Sequence, residues 1–235
     1  MKKTIISMLL IIAVLAAAGC GGAAPAPSQT AEPTVEPSAE PVETEAPTQL
    51  PEIMPSYIAN QVTVNELGEE LIETTTNPDD PENLDNIINY MISEDTLVYD
   101  MNGSRLSIED IKAGSKLSVY TNAYSPAPMI MPPQYQADVI IIEDPEAEEL
   151  TFSCADTFVM QDDMLVGLGN TLALNLGEET LIVDREDNVT EEELADKDLL
   201  VFYGASTRSI PAQTTPVKVV VLGVNELALG NITAE

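Results

Sequence analysis

The sequence predicts a mostly β chain: two tandem OB-like five-stranded barrels, each with one short helix, behind a disordered Pro-rich tether. Three observations predict this. The stretch from Leu84 to Asp100 can be laid without a gap on the stretch from Leu168 to Asp184, an offset of 84 positions. Within each copy, apolar residues fall into short strand-like runs, clearest where Leu172, Leu174 and Leu176 alternate with polar or small neighbours. Ahead of both copies, prolines recur every few residues, and no basic residue occurs between Lys3 and Arg105.

The first element is an address. Lys2 and Lys3 form a positive n-region, and Ile5 to Ala18 form an apolar stretch, well short of the roughly 20 residues that a membrane-spanning helix needs. The segment Leu15-Ala-Ala-Ala-Gly-Cys20 resembles the lipobox of bacterial lipoproteins, with Ala17 where that family usually has a large aliphatic residue. The resemblance implies that residues 1–19 are a lipoprotein signal peptide that is removed. It also implies that Cys20 is diacylated on sulfur and becomes the first residue of the mature chain. Two acyl chains, at about 0.8 kcal/mol per buried CH₂, hold a soluble domain stably on a membrane. Removing two lysines takes the net charge from −31 to −31 − 2 = −33, so the anchor would be lipid alone. The alternative is an ordinary signal peptide followed by a chance Cys.

Residues 20–55 read as the tether. Pro25, Pro27, Pro33, Pro37, Pro41, Pro47, Pro51 and Pro55 stand among Ala, Thr, Ser and Glu. Proline removes backbone donors, and the glutamates repel one another, so no core forms here. An extended spacer results, with an upper reach on the order of 100 Å.

The two repeats are assigned to residues 56–145 and 146–235. In the second, Thr157 to Gln161 reads as a strand, Asp162-Asp163 as a turn and Met164 to Leu168 as the return. Gly169-Asn170 breaks the chain, and Thr171 to Leu176 alternates with its leucines on one face. Leu181 to Val183 extends the sheet, and Thr190-Glu-Glu-Glu193 is a capping-box pattern that predicts a short helix. Copy one carries a weaker box, Ser107-Ile-Glu-Asp110. Leu199 to Tyr203 is matched by Lys116 to Tyr120, and the closing strands are Val217 to Leu222 and Ala137 to Ile142. Three strands, a helix and two strands is the order of an OB-like barrel. Each unit, at roughly 90 residues, is large enough for a modest core of its own. The acidic connector, Glu143 to Glu149, is short enough for the barrels to touch or nearly touch.

In copy two, Val201-Phe-Tyr-Gly-Ala-Ser-Thr-Arg-Ser-Ile-Pro-Ala-Gln213 is similar to a segment of clostridial surface proteins. These carry small all-β repeat domains with a Tyr-rich strand, then Thr-Arg-Ser-x-Pro-x-Gln and an Ala/Val-rich last strand. In copy one the matching stretch, Tyr124 to Gln134, is longer and lacks the Arg. The resemblance implies a place and a shape, and no established reaction.

Composition narrows the function. A net charge of −31 without a single His repels phosphate backbones, which need Lys and Arg to displace counterions, so no nucleic-acid partner is expected. Cys154 reads as a small buried hydrophobe, since no His exists to activate it. No phosphate loop, zinc spacing or Ser/His arrangement is present, so the chain is expected not to be an enzyme and to need no cofactor. The loop between the last two strands borders the usual binding face of an OB-like barrel. Candidates there are Tyr203, Thr207, Arg208 and Gln213 in copy two, with Tyr124 and Gln134 in copy one. Arg208 could meet an acidic partner or make an internal salt bridge. Metal ligation is the other reading. Asp184 and Asp187 in an acidic turn would suit Ca²⁺, and Met129 with Met131 would suit Cu(I); a solvated turn and loop-lining residues are the plainer identities. The expected protein is a lipoprotein on the outer face of the bacterial cytoplasmic membrane, a non-catalytic module that binds a protein or wall component or serves structurally. The alternative is an extracytoplasmic Ca- or Cu-binding lipoprotein.

Overall fold

The computed structural model describes residues 54–144 and 151–232. The expected signal peptide, Cys20 and nearly all of the tether lie outside the described residues. The first repeat contains β1 (Tyr57–Leu67), β2 (Leu71–Thr75), β3 (Ile87–Met91), β4 (Leu97–Asp100), β5 (Arg105–Leu106), β6 (Lys116–Asn122), β7 (Gln134–Gln136) and β8 (Val139–Glu143). The second contains β9 (Phe152–Gln161), β10 (Met164–Gly167), β11 (Leu172–Leu174), β12 (Leu181–Val183), β13 (Lys197–Tyr203), β14 (Ala212–Thr214) and β15 (Lys218–Gly223). A terminal helix, α1 (Glu226–Ile232), follows.

The repeat is real in three dimensions. The first sheet runs β5-β4-β8-β6-β1-β2-β3-β7 and the second β12-β15-β13-β9-β10-β11-β14. With β5 set aside, the two orders are identical. A bridge between Val183 and Val189 stands where β4 meets β5. Both repeats pair their third strand in parallel with the short strand after the proline loop, β3 with β7 and β11 with β14. Both also place a cis peptide two residues ahead of the Gln, at Met131-Pro132 and Ile210-Pro211.

The expected five-stranded barrels are corrected in two respects. The sheets have eight and seven strands and do not close. The segment that reads as one closing strand is split: β7 pairs with β3, whereas β8 pairs with β6 and β4. Asp138 stands at the break, its Oδ2 accepting the Asn122 amide at 2.8 Å. The short helices are corrected as well. At the expected place copy one has one turn of 3₁₀ helix, Ile108–Asp110, with the Ser107 capping box in place. Copy two has no helix at Glu191–Leu194. There the Thr190 amide is committed to the Ile182 carbonyl, and the Asp196 amide to Phe158. Too few residues remain between these two ties to repay helix nucleation.

Apolar packing forms three clusters. One belongs to the first repeat, around Val64, Ile72, Tyr90, Leu117, Val119 and Ile140. Another belongs to the second, around Phe158, Leu165, Leu174, Leu199, Val201 and Val219. The third is shared: Tyr57, Tyr99, Tyr120 and Ile141 of the first repeat pack with Leu200, Phe202, Val220 and Leu222 of the second. Each repeat therefore has a core, and a joint core lies between them.

Three of the chain's few cations sit at this joint. Lys218 Nζ donates to the Gly103 carbonyl at 2.8 Å, meets Asp187 at 2.5 Å and lies 5.1 Å from the centre of the Tyr99 ring. Arg105 stands at the same distance from that ring and donates to the Tyr99 hydroxyl. Arg185 donates to the carbonyls of Leu222 and Asp95, one in each repeat. Gly103 adopts φ +80°, and a Cβ there would lie 3.1 Å from the Phe202 ring, so the turn needs glycine on both counts.

A buried acidic network completes the joint. Asp156 accepts the amides of Ser56, Thr157 and Gly169 at 2.8, 2.9 and 2.8 Å. Asp198 accepts the Tyr57 hydroxyl at 2.8 Å and the Thr157 hydroxyl. Burial, ahead of every other influence, raises Asp138, Asp156 and Asp198 above the ordinary carboxylate value of 3.8. An acid whose folded pKa is raised gives a contribution that is complete below the unfolded value and lost as pH rises through the folded one. Acidification from pH 7 towards the ordinary carboxylate value of 3.8 should therefore raise the melting temperature, and easing the self-repulsion of a polyanion acts in the same direction. A melting temperature that is flat or falls over that window would contradict this.

Candidate functional site

The loops after β6 and β13 leave strands whose inward residues line the repeat cores, and each returns through its cis-proline into β7 or β14. Each loop borders a depression, and the two overlap only at the loop itself and the short strand after it, where Asn122, Ala123 and Tyr135 of copy one stand in the places of Gly204, Ala205 and Thr214. In copy two the depression is an open groove of about 650 Å³, walled by Asn175, Gly204 to Thr207, Gln213 to Thr215 and Val217. In copy one it is a tighter pocket of about 260 Å³, lined by Ile58, Asn60, Ile88, Thr121, Pro133 and Tyr135 among others.

The structure brings some of the expected residues together. Thr207 and Gln213 face each other across the copy-two groove: the Thr207 amide donates to the Gln213 carbonyl at 2.9 Å, and the Gln213 amide to Thr207 Oγ1 at 2.8 Å. Thr207 is thereby spent on holding the loop. Arg208 is exposed on the same loop. The ion pairs among the described residues are Lys197–Glu192 and Lys218–Asp187, so Arg208 enters neither. Tyr203 does not line the groove; its ring lies 5.8 Å from that of Phe152. In copy one, Tyr124 and Gln134 are half-buried and flank the pocket without lining it.

The metal candidates are placed as follows. Asp184 Oδ1 accepts the amides of Glu186 and Asn188 at 3.0 and 2.8 Å, which holds its carboxyl below the ordinary value. Asp187 is the counter-ion of Lys218. Among the described residues, no group of three or more His, Cys, Asp or Glu converges as a metal site. Met129 and Met131 are exposed with Ile130, and Ile210 is exposed at the matching tip in copy two. Cys154 packs at the edge of the second core, and burial pushes its thiol up to about 12, far from a reactive thiolate.

Sequence reasoning missed the lining of the copy-one pocket. Ile58, Asn60 and Thr121 lie on paired strands β1 and β6 and read as ordinary strand positions. The one available signal was Asn60, a polar residue at an inward position two before Val62.

No protein family, curated protein or solved structure matches the chain.

Proposed function

We propose that this is a lipid-anchored surface lipoprotein whose two β repeats form a non-catalytic binding module, contacting a protein or wall partner through the two cis-proline loops. The observation that carries the reading is their equivalence. Both loops return through a cis-proline into a short strand paired in parallel with the third strand, both border a depression, and both carry exposed apolar residues at the tip, Met129 to Met131 and Ile210. Apolar side chains held fully in water mark contact surfaces when they cluster. The KK-apolar-Cys20 segment supports attachment to the outer face of the membrane, with the Pro-rich stretch as a stalk.

Each repeat is, on this reading, an OB-like unit whose last strand is broken in two. The order β1-β2-β3, the parallel β3·β7 pair and the antiparallel β8·β6 and β6·β1 pairs support it. Loops at that position border the binding face of such units.

The test has two arms. Cys20→Ser should release the protein into the medium, and continued membrane retention would remove the anchor. Ile130→Asp with Ile210→Asp should weaken retention on isolated cell-wall and surface-protein fractions at least tenfold at unchanged melting temperature. Unchanged retention would remove the loops from the binding face.

A further inference from the structure

We propose that the copy-one pocket is a site for a small uncharged ligand, a ring-sized apolar body carrying one hydroxyl or carbonyl that bonds to Asn60 at its floor, above the buried Tyr90. This rests on the loop-face reading above and goes beyond it by naming what enters.

The argument begins with strand alternation. On β1 the inward column is Ile58, Asn60, Val62, Val64, and the last two belong to the first core. On β3 it is Ile88 and Tyr90, on β6 Leu117, Val119 and Thr121, and on β7 Tyr135. Ile58, Asn60, Ile88, Thr121 and Tyr135 line the pocket, which is thus the open end of the core, and Tyr90 lies one layer below.

Tyr90 has no exposed surface, yet its hydroxyl has no hydrogen-bond partner among the described residues. The Asn60 side chain lies against it, out of hydrogen-bonding geometry, and the Tyr135 ring centre is 6.4 Å from its own. An unmade hydrogen bond at such a buried group costs about 1–3 kcal/mol, a cost the folded chain carries with nothing bound.

The second repeat serves as an internal control. Strand pairing aligns Ile58·Thr121 with Phe152·Tyr203, Asn60·Val119 with Cys154·Val201, and Ile72·Tyr90 with Leu165·Leu174. The position of Asn60 thus holds Cys154, which packs against the second core, and that of Tyr90 holds Leu174, a member of it. Where copy one has Ile58 and Thr121 at the mouth, copy two has the Phe152–Tyr203 ring pair as a stopper. The fold therefore requires neither the polar floor nor the open mouth; copy one has both.

Size and charge define the ligand. A cavity of about 150 Å³ holds benzene, so 260 Å³ takes one ring with substituents. No ionisable side chain other than the Tyr135 phenol lines the pocket, so a charged ligand would lose its hydration without a counter-ion.

The test uses p-cresol and toluene, which differ by one hydroxyl, titrated into the full chain carrying Cys20→Ser so that no detergent competes for the probe. Backbone amide shifts at Asn60, Thr121 and Tyr135 should saturate with p-cresol, and toluene should bind at least tenfold more weakly. Asn60→Val should bring p-cresol down to the toluene affinity, whereas Tyr90→Phe should leave the melting temperature equal or higher, since it deletes an unpaired polar atom. Ile58→Phe with Thr121→Tyr, which copies the stopper, should abolish both. No saturable shift in wild type up to 10 mM p-cresol, on the order of 100-fold weaker than a 100 µM site, would overturn the proposal. Equal affinities for the two probes, or binding that survives the stopper, would also overturn it. Retention on wall fractions, measured on the same stopper variant, separates the two readings: loss of probe binding with retention intact leaves the loop face standing.

Discussion

Phe202→Ala should lower the stability of both repeats together, by about 3–5 kcal/mol. Phe202 is fully buried, and its ring meets that of Tyr99 at 5.5 Å in an edge-on arrangement. Tyr99 belongs to the first repeat and Phe202 to the second, so the cavity opens in the joint core rather than in either repeat's own. The loss spreads through direct neighbours. Phe202 pairs with Lys218 on β15, whose ammonium reaches across to the Gly103 carbonyl and the Tyr99 ring. The described residues of both repeats belong to one compact unit, and a shared core makes cooperative unfolding the expectation. The measurement is hydrogen exchange at Ile140 and Val219, one amide in each repeat, alongside denaturant melts followed by circular dichroism. Both amides should lose protection by the same amount. Loss at Val219 with Ile140 unchanged would mean that the repeats are stable separately and that the joint is only contact.

The course of the strands was legible because alternation and turn chemistry are local. Asp162-Asp163 turns the chain with φ of 47° and 65°, and Asn170 breaks it at φ 51°, as short polar residues readily do. The gapless match of Leu84–Asp100 with Leu168–Asp184 survives as equivalent β3/β11 and β4/β12 strands. The strands β7 and β14 were not legible. Each has three residues, too few for a period, and their parallel pairing depends on distant partners. The joint core was hidden for another reason. Tyr90 and Tyr99 both sit at apolar strand positions, and only the fold sends one to the first core and the other to the shared one. Helix α1 was missed because seven residues with an internal Gly carry little propensity; its signal is Asn225, whose Oδ1 accepts the Ala228 amide at 3.1 Å. Of the candidate site, the loops were found from their prolines. The depth of the copy-one pocket was not, because it is built from inward side chains of four separate strands.

Asp156→Ala should cost about 3 kcal/mol or more, because it strands three buried amides, each worth about 1–3 kcal/mol when left unpaired. Ser56, Thr157 and Gly169 supply these amides, so the side chain ties the entry to β1 to strand β9 and to the turn after β10. The surrounding sequence is shaped to it. A Cβ at Gly167 would lie 2.8 Å from Asp156 Oδ2, and one at Gly169 would lie 3.2 Å from it. Asp156→Asn keeps one acceptor oxygen and turns a donor towards a donor, so about 1–2 kcal/mol should be lost at neutral pH. The pH dependence of that loss decides which force dominates. Burial outweighs the amides and raises the Asp156 pKa, so the wild type gains stability as pH falls towards the ordinary carboxylate value of 3.8 and the Asn variant lacks this gain. The gap between them should therefore widen on acidification. A gap that narrows would mean that the three amides hold the carboxylate charged more strongly than burial opposes it, and that Asp156 stabilises the joint as an anion rather than in spite of its charge.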